Sequence, residues 1–188
     1  MPYQLKITLQ DIAPPVWRRV VVPGEFTLLD LHHVIQIAMG WEDCHLHDFT
    51  IQRKRYALPS EEDFDDSADE RTVKLRDVVA RARSKFIYQY DFGDGWYHTI
   101  VVEKTADDTV TKVPMCVDGA RACPPEDSGG PWGYIEKLEA LSNPSDSDTE
   151  YLREWMGDFD PEKFDLDLIN KDLGRLFLTE RKNKRVTQ

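Results

Sequence analysis

Apolar and polar residues alternate through Tyr3-Gln4-Leu5-Lys6-Ile7-Thr8-Leu9, the pattern of a half-buried β-strand. Pro14-Pro15 interrupts it, and Val16–Val22 resumes an extended pattern that Pro23-Gly24 ends. On such a strand Arg18 and Arg19 face opposite ways, one along the sheet surface and one toward solvent or a carboxylate. The period then changes. Leu28, Leu31, Val34, Ile35 and Ala38 form a helical stripe, Thr27 and Asp30 make a box-like cap, and Gly40 is a natural stop. His45–Ile51 reads as a strand with His45 and His47 on one face, followed on it by Phe49 and Ile51. Val73–Ala82 predicts a short strand leading into a short helix, and Lys112–Val117 another strand. Three helices close the chain. One carries Ile135, Leu138 and Leu141, and a second runs from Thr149 through Leu152, Trp155 and Met156 to Gly157. The third has the stripe Leu166, Ile169, Leu173, Leu176 and Phe177.

The most aromatic stretch, Phe86–Glu103, predicts a β-hairpin around Gly93-Asp94-Gly95. Two registers are open. A two-residue turn at Asp94-Gly95 sets Asp91 opposite His98, a carboxylate orienting an imidazole. A longer loop with Phe92 paired to Trp96 puts His98 on the face of Tyr88, Tyr90 and Phe92. In either case Trp96 packs at the hairpin's end. Such a hairpin needs a covering layer. The expected architecture is therefore α+β, a mainly antiparallel or mixed sheet with helices on one face. The opening order strand, strand, helix, strand resembles a β-grasp start.

Composition narrows this further. With 188 residues and 40 % hydrophobic content, a single domain over 1–188 is expected. Ser60–Glu70 holds seven acids and reads as a surface loop, whereas RKNKR at Arg181–Arg185 opens a solvated basic tail over about 181–188. The formal net charge of -11 repels nucleic-acid backbones and anionic membranes, so direct nucleic-acid binding is not expected. No apolar run is long enough for a membrane helix, and the first residues enter a strand without a signal-peptide core. Cys44, Cys116 and Cys123 do not form a disulfide framework, which fits a cytoplasmic protein.

Candidate chemistry is thin. His45 and His47 are metal-ligand candidates for a divalent ion such as zinc, with His98 as a third; Asp48, Asp91 and Asp94 are available as carboxylates. Cys116 and Cys123 are spaced too widely for a metal knuckle. In the Pro- and Gly-rich loop before the Ile135 helix, Glu126 and Asp127 can meet free N–H groups at the helix start, and Arg121 can bridge acids and tie the loop to the sheet. If chemistry is present, His98, Asp91, Glu126, Asp127 and Arg121 are the candidate catalytic residues. Asp91-Phe92-Gly93 is not the kinase magnesium motif, since no glycine-rich loop or catalytic-loop motif precedes it. Gly93-Asp94-Gly95 is not a dinucleotide fingerprint, since no helix follows.

Three blocks, MGW…HLHDF, YDFGDGW-H and the RACPPED-GG-GY loop, together resemble the plasmid pRiA4b ORF-3-like family, also labelled passenger proteins of IS1096-type mobile elements. The resemblance runs from about Tyr3 to Asn170. It implies a compact α+β fold and supplies no established catalytic residue. Many members read PPEDCGG where this chain has Ser128, which argues against a cysteine cluster here. The leading functional expectation is a non-enzymatic binding or adaptor protein that receives a protein or small molecule between the hairpin and the Pro124–Asp127 loop. The alternatives are a metal-dependent hydrolase-like enzyme using a histidine/aspartate cluster and a nucleic-acid-associated mobile-element accessory protein.

Overall fold

The computed structural model describes residues 1–59, 66–79, 82–105, 114–143, 145 and 147–186, with side chains up to 177 in the last helix. Eight strands form one sheet: β1 (Pro2–Leu9), β2 (Trp17–Pro23), β3 (His47–Ile51), β4 (Lys54–Ala57), β5 (Ala68–Asp69), β6 (Lys85–Tyr90), β7 (Trp96–Thr105) and β8 (Met115–Ala120). Their order across the sheet is β5-β4-β3-β6-β7-β1-β2-β8. Every pairing is antiparallel except β4 with β5. The β6–β7 hairpin lies at the centre, between β3 and β1. The helices are α1 (Leu28–Met39), α2 (Leu75–Val78), α3 (Gly130–Ser142), α4 (Glu150–Met156) and α5 (Leu166–Val186). The fold is the expected α+β class.

Alternation decides which face is covered. Leu5, Ile7 and Leu9 of β1, Tyr88 and Tyr90 of β6, and Ile100 and Val102 of β7 are buried in the same cluster as the α1 stripe Leu28, Leu31, Val34 and Ile35. α1 keeps its predicted limits because both ends are satisfied. The Thr27 side chain accepts from Asp30 N, the Asp30 carboxylate accepts from Thr27 N, and Gly40 stops the helix at φ 97°. Arg18 points into the covered face and donates Nε to the carbonyl of Ala38 at 2.7 Å, a cation at a helix C-terminus. Arg19 points the other way, to Glu103 and Asp118, each at 2.7 Å. At the outer edge, Asn170 of α5 bonds both the N–H and the C=O of Cys116, so β8 does not leave those groups free. Among the described residues no helix is long and apolar enough to cross a membrane.

Several local expectations change. The hairpin takes neither predicted register. Tyr90 pairs with Trp96 and Tyr88 with His98, leaving the five-residue loop Asp91–Gly95. Asp91 adopts φ 53° and its Oδ1 accepts from Gly93 N and Asp94 N, which closes the wider loop. β3 begins at His47, so His45 lies outside it and shares no strand face with His47. The predicted Lys112–Val117 strand is found at Met115–Ala120, and residues 112–113 lie outside the described ones. Of the acidic run, 60–65 lie outside the described residues. Its last member, Glu70, is wholly buried, because His47 supplies a partner for its carboxylate. The side chains of the basic tail also lie outside the described residues.

Candidate metal centre

The Asp91–Gly95 loop and the Pro124–Gly130 segment are fastened together. Asp94 Oδ2 accepts from Gly129 N at 2.9 Å. A Cβ on Gly130 would stand 2.4 Å from the Asp94 carbonyl oxygen, so only glycine permits this approach. Trp41, just after α1, donates Nε1 to the Pro124 carbonyl at 3.0 Å. Ser128 is buried and donates to the Pro125 carbonyl, bracing the loop from within. The N–H at the α3 N-cap, Gly129, is thus taken by Asp94; Glu126 and Asp127 are turned elsewhere.

They turn toward His45. Its Nε2 lies 3.2 Å from Asp127 Oδ1, 3.7 Å from Asp91 Oδ2 and 3.7 Å from Glu126 Oε2. The ring is 28 % exposed, yet Nε2 itself is screened from solvent and has no partner in hydrogen-bond geometry. The other oxygens of two carboxylates are already engaged. Asp91 Oδ1 holds the hairpin loop. Glu126 Oε1 accepts from the Tyr90 hydroxyl and from Glu42 N, each at 2.9 Å. Burial pushes the Tyr90 hydroxyl well up, which keeps it a donor. Outer hydrogen bonds that aim a free carboxylate oxygen are the usual support of a metal ligand. Two overlapping ligand sets result, His45–Asp91–Asp127 and Cys44–His45–Glu126, each with its ligand atoms within 4.8 Å of one another. Bonds near 2.0–2.2 Å to a tetrahedral zinc ion would space ligand atoms by about 3.4 Å.

A cleft of about 830 Å³ opens beside this cluster and shares Cys44 and His45 with it. Its wall holds a second polar network. The His32 and His47 rings stack at 3.5 Å with 6° between their planes. His32 lies between the Tyr88 hydroxyl and Asp43 Oδ1, both at 2.8 Å, and Gln36 donates to the same hydroxyl. Burial lowers the His32 pKa to about 2, so the ring is neutral, with one nitrogen donating and the other accepting within this network. His47 Nε2 pairs with Glu70 at 2.8 Å. His33, with Nε2 3.9 Å from Asp43, completes a third group of ligand type.

The residues singled out from sequence therefore separate. His45, Asp91, Glu126 and Asp127 come together. His47 is committed to Glu70, and His98 lies under the sheet's cover, edge-on to Trp41, with Nδ1 3.3 Å from the Tyr88 carbonyl. His45, His47 and His98 form no common ligand set among the described residues, because His45 precedes β3 and His98 faces the core. Arg121 binds Glu162 and the Pro14 carbonyl, away from Glu126 and Asp127. Cys116 and Cys123 are buried and belong to none of the ligand sets. Cys44 and Tyr90 were not foreseen. The adjacency of Cys44 and His45 was a visible signal, whereas the reach of Tyr90 depends on the hairpin register.

The model of the family described as "Plasmid pRiA4b ORF-3-like protein" matches residues 2–168. An uncharacterized protein of Sinorhizobium fredii, y4hQ, is 43 % identical over 171 residues, covering 89 % of this chain and 88 % of that protein. The crystal structure of a protein of unknown function from Methanosarcina mazei Go1, MM3350, superposes with a TM-score of 0.79 at 38 % identity, over 88 % of this chain and 95 % of that one. All three sequence blocks fall within the matched span, and they supply Trp41, His45, Tyr90, Asp91, Asp94, Glu126, Asp127, Gly129 and Gly130. The chain belongs to the plasmid pRiA4b ORF-3-like family.

Proposed function

We propose that this protein is a metal-dependent hydrolase-like enzyme whose divalent ion, such as zinc, is held by His45, Asp91 and Asp127. The observation that carries the reading is the convergence of three carboxylates from two separate loops on one imidazole nitrogen, at 3.2–3.7 Å. Three protein ligands leave coordination positions for water and substrate, as in catalytic rather than structural sites. A bound ion there supplies Lewis acidity and lowers the pKa of water. Glu126, with Oε1 fixed by Tyr90 and Glu42, turns Oε2 toward the same space and is placed to accept a proton from the attacking water. Asp91 and Asp127 sit at φ 53° and 55°, uncommon for residues with a side chain and frequent at functional sites.

Elemental analysis of protein purified without a histidine tag should find stoichiometric divalent metal, and His45→Gln and Asp91→Asn should each lose it. A metal-free wild-type protein would overturn the reading. A second reading, a non-enzymatic binding protein in which the ion only fixes the two loops, is favoured by the exposed aromatics Trp132, Tyr151 and Trp155. Metal that binds and stabilises without any hydrolytic turnover is its signature.

A further inference from the structure

We infer that the substrate is an uncharged acyl compound, an ester or amide, whose apolar acyl chain lies in the cleft beside His45. The inference rests on the metal reading above and names the substrate class for that centre. Two observations carry it. The first is charge. As ligands, Asp91 and Asp127 are deprotonated, and Glu126 adds a third carboxylate next to them. Three carboxylates around one divalent ion leave an excess negative charge, in a protein already at -11. A phosphoryl group would need cations here. Among the described residues the cation lining the cleft is Arg55, and it gives Nε to Asp48 at 2.7 Å. It also lies over the Phe92 ring, 5.5 Å from its centroid. Its charge is thus already matched within the protein, and the other charged residue of the wall among the described residues, Asp43, is negative.

The second observation is the apolar side of the same cleft. Leu46 is 71 % exposed, Leu58 41 % and Phe92 40 %, and all three line it together with Leu29. Leu46 follows His45 directly, and Phe92 follows Asp91. Of the three ligands His45 itself lines the cleft together with Leu46 and Phe92, so an acyl chain would continue into it from the His45 side of the ion. In the reaction, water adds to the carbonyl carbon and forms a C–O bond. The bond to the leaving oxygen or nitrogen breaks, and the proton taken from water goes to that atom, giving a carboxylic acid and an alcohol or amine.

Zinc-loaded protein should be titrated calorimetrically with acetohydroxamate and octanohydroxamate, which share a metal-binding head and differ in chain, and with octylphosphonate, which keeps the chain and carries a more highly charged head. Octanohydroxamate should bind at least about tenfold more tightly than acetohydroxamate, since each buried methylene favours binding, and more tightly than octylphosphonate. Leu46→Asp should abolish the chain-length gain, so that octanohydroxamate binds no more tightly than acetohydroxamate to the zinc-loaded variant. A parallel turnover series on nitrophenyl acetate, octanoate and phosphate should favour the octanoate through KM. Equal affinity for both hydroxamates, or tighter phosphonate binding, would overturn the substrate assignment with the metal centre intact. Failure of the protein to take up zinc would instead overturn the centre beneath it.

Discussion

At the scale of single residues, the aromatic side chains of the hairpin hold the candidate centre in place. Trp96 is 1 % exposed, and its ring meets Tyr134 of α3 edge-on and lies 6.3 Å from Trp41. Trp41 in turn holds the Pro124 carbonyl, and Tyr90 holds Glu126. Trp96 is therefore a packing residue that sits under the loop junction. Trp96→Ala should cost about 3–5 kcal/mol, the range for emptying a large buried aromatic site. A urea midpoint close to wild type would contradict that burial. The reading of Trp96 from sequence needed only its size and its place at the end of an apolar strand. The roles of Asp91 and Glu126 could not be read this way. A carboxylate has two oxygens, and which one is free depends on neighbours distant in the chain: Gly93 and Asp94 for one residue, Tyr90 and Glu42 for the other.

At the scale of elements, helices and strands follow their periodicities and the loops carry the candidate chemistry. α1 ends where Thr27 and Gly40 dictate, and β1 alternates as read. The loops depend on contact with each other. Gly130 has φ 67°, and an added Cβ would meet the Asp94 carbonyl oxygen at 2.4 Å, whereas one on Gly174 in α5 would meet nothing within 4 Å. Gly174→Ala should leave metal content unchanged and raise stability by up to about 1 kcal/mol through helix propensity. Gly130→Ala should destabilise by about 1 kcal/mol or more and lower metal occupancy, because the loop bearing Asp127 can no longer reach the hairpin. Thermal melts with metal analysis on both variants check the pair, and a Gly130→Ala protein with full metal content would show that the loops do not depend on this approach.

At the scale of the whole molecule, the one-sided cover of the sheet sets how stability responds to acid. His98 is fully buried among Trp41, Tyr88 and the β1–β7 pairing, and burial lowers its pKa from 6.5 to about 4. The unfolded chain therefore takes up a proton at a pH where the folded protein does not. Stability from this residue is complete above pH 6.5 and is lost as pH falls toward 4, with a slope of about 1.4 kcal/mol per pH unit in between. Urea midpoints measured at pH 7.5, 6 and 5 should fall in that order, and more gently in His98→Gln; equal slopes in the two proteins would assign the acid sensitivity to other groups. The sequence by itself determined β1, α1, the three closing helices, the fold class and the family blocks, whereas no local pattern marked the short strands β4 and β5. Periodicity, caps and turn residues are local, and burial of alternate positions follows from them once a covering layer exists. Only the tertiary structure decided the centre. A hairpin loop two residues longer than its longer predicted form, a strand that starts two residues after His45, and a hydrogen bond from Gly129 to Asp94, 35 residues apart, bring His45, Asp91, Glu126 and Asp127 to one point while removing His47 and His98. Those are long-range registers, and no local pattern encodes a distance between loops that meet only when the sheet is built.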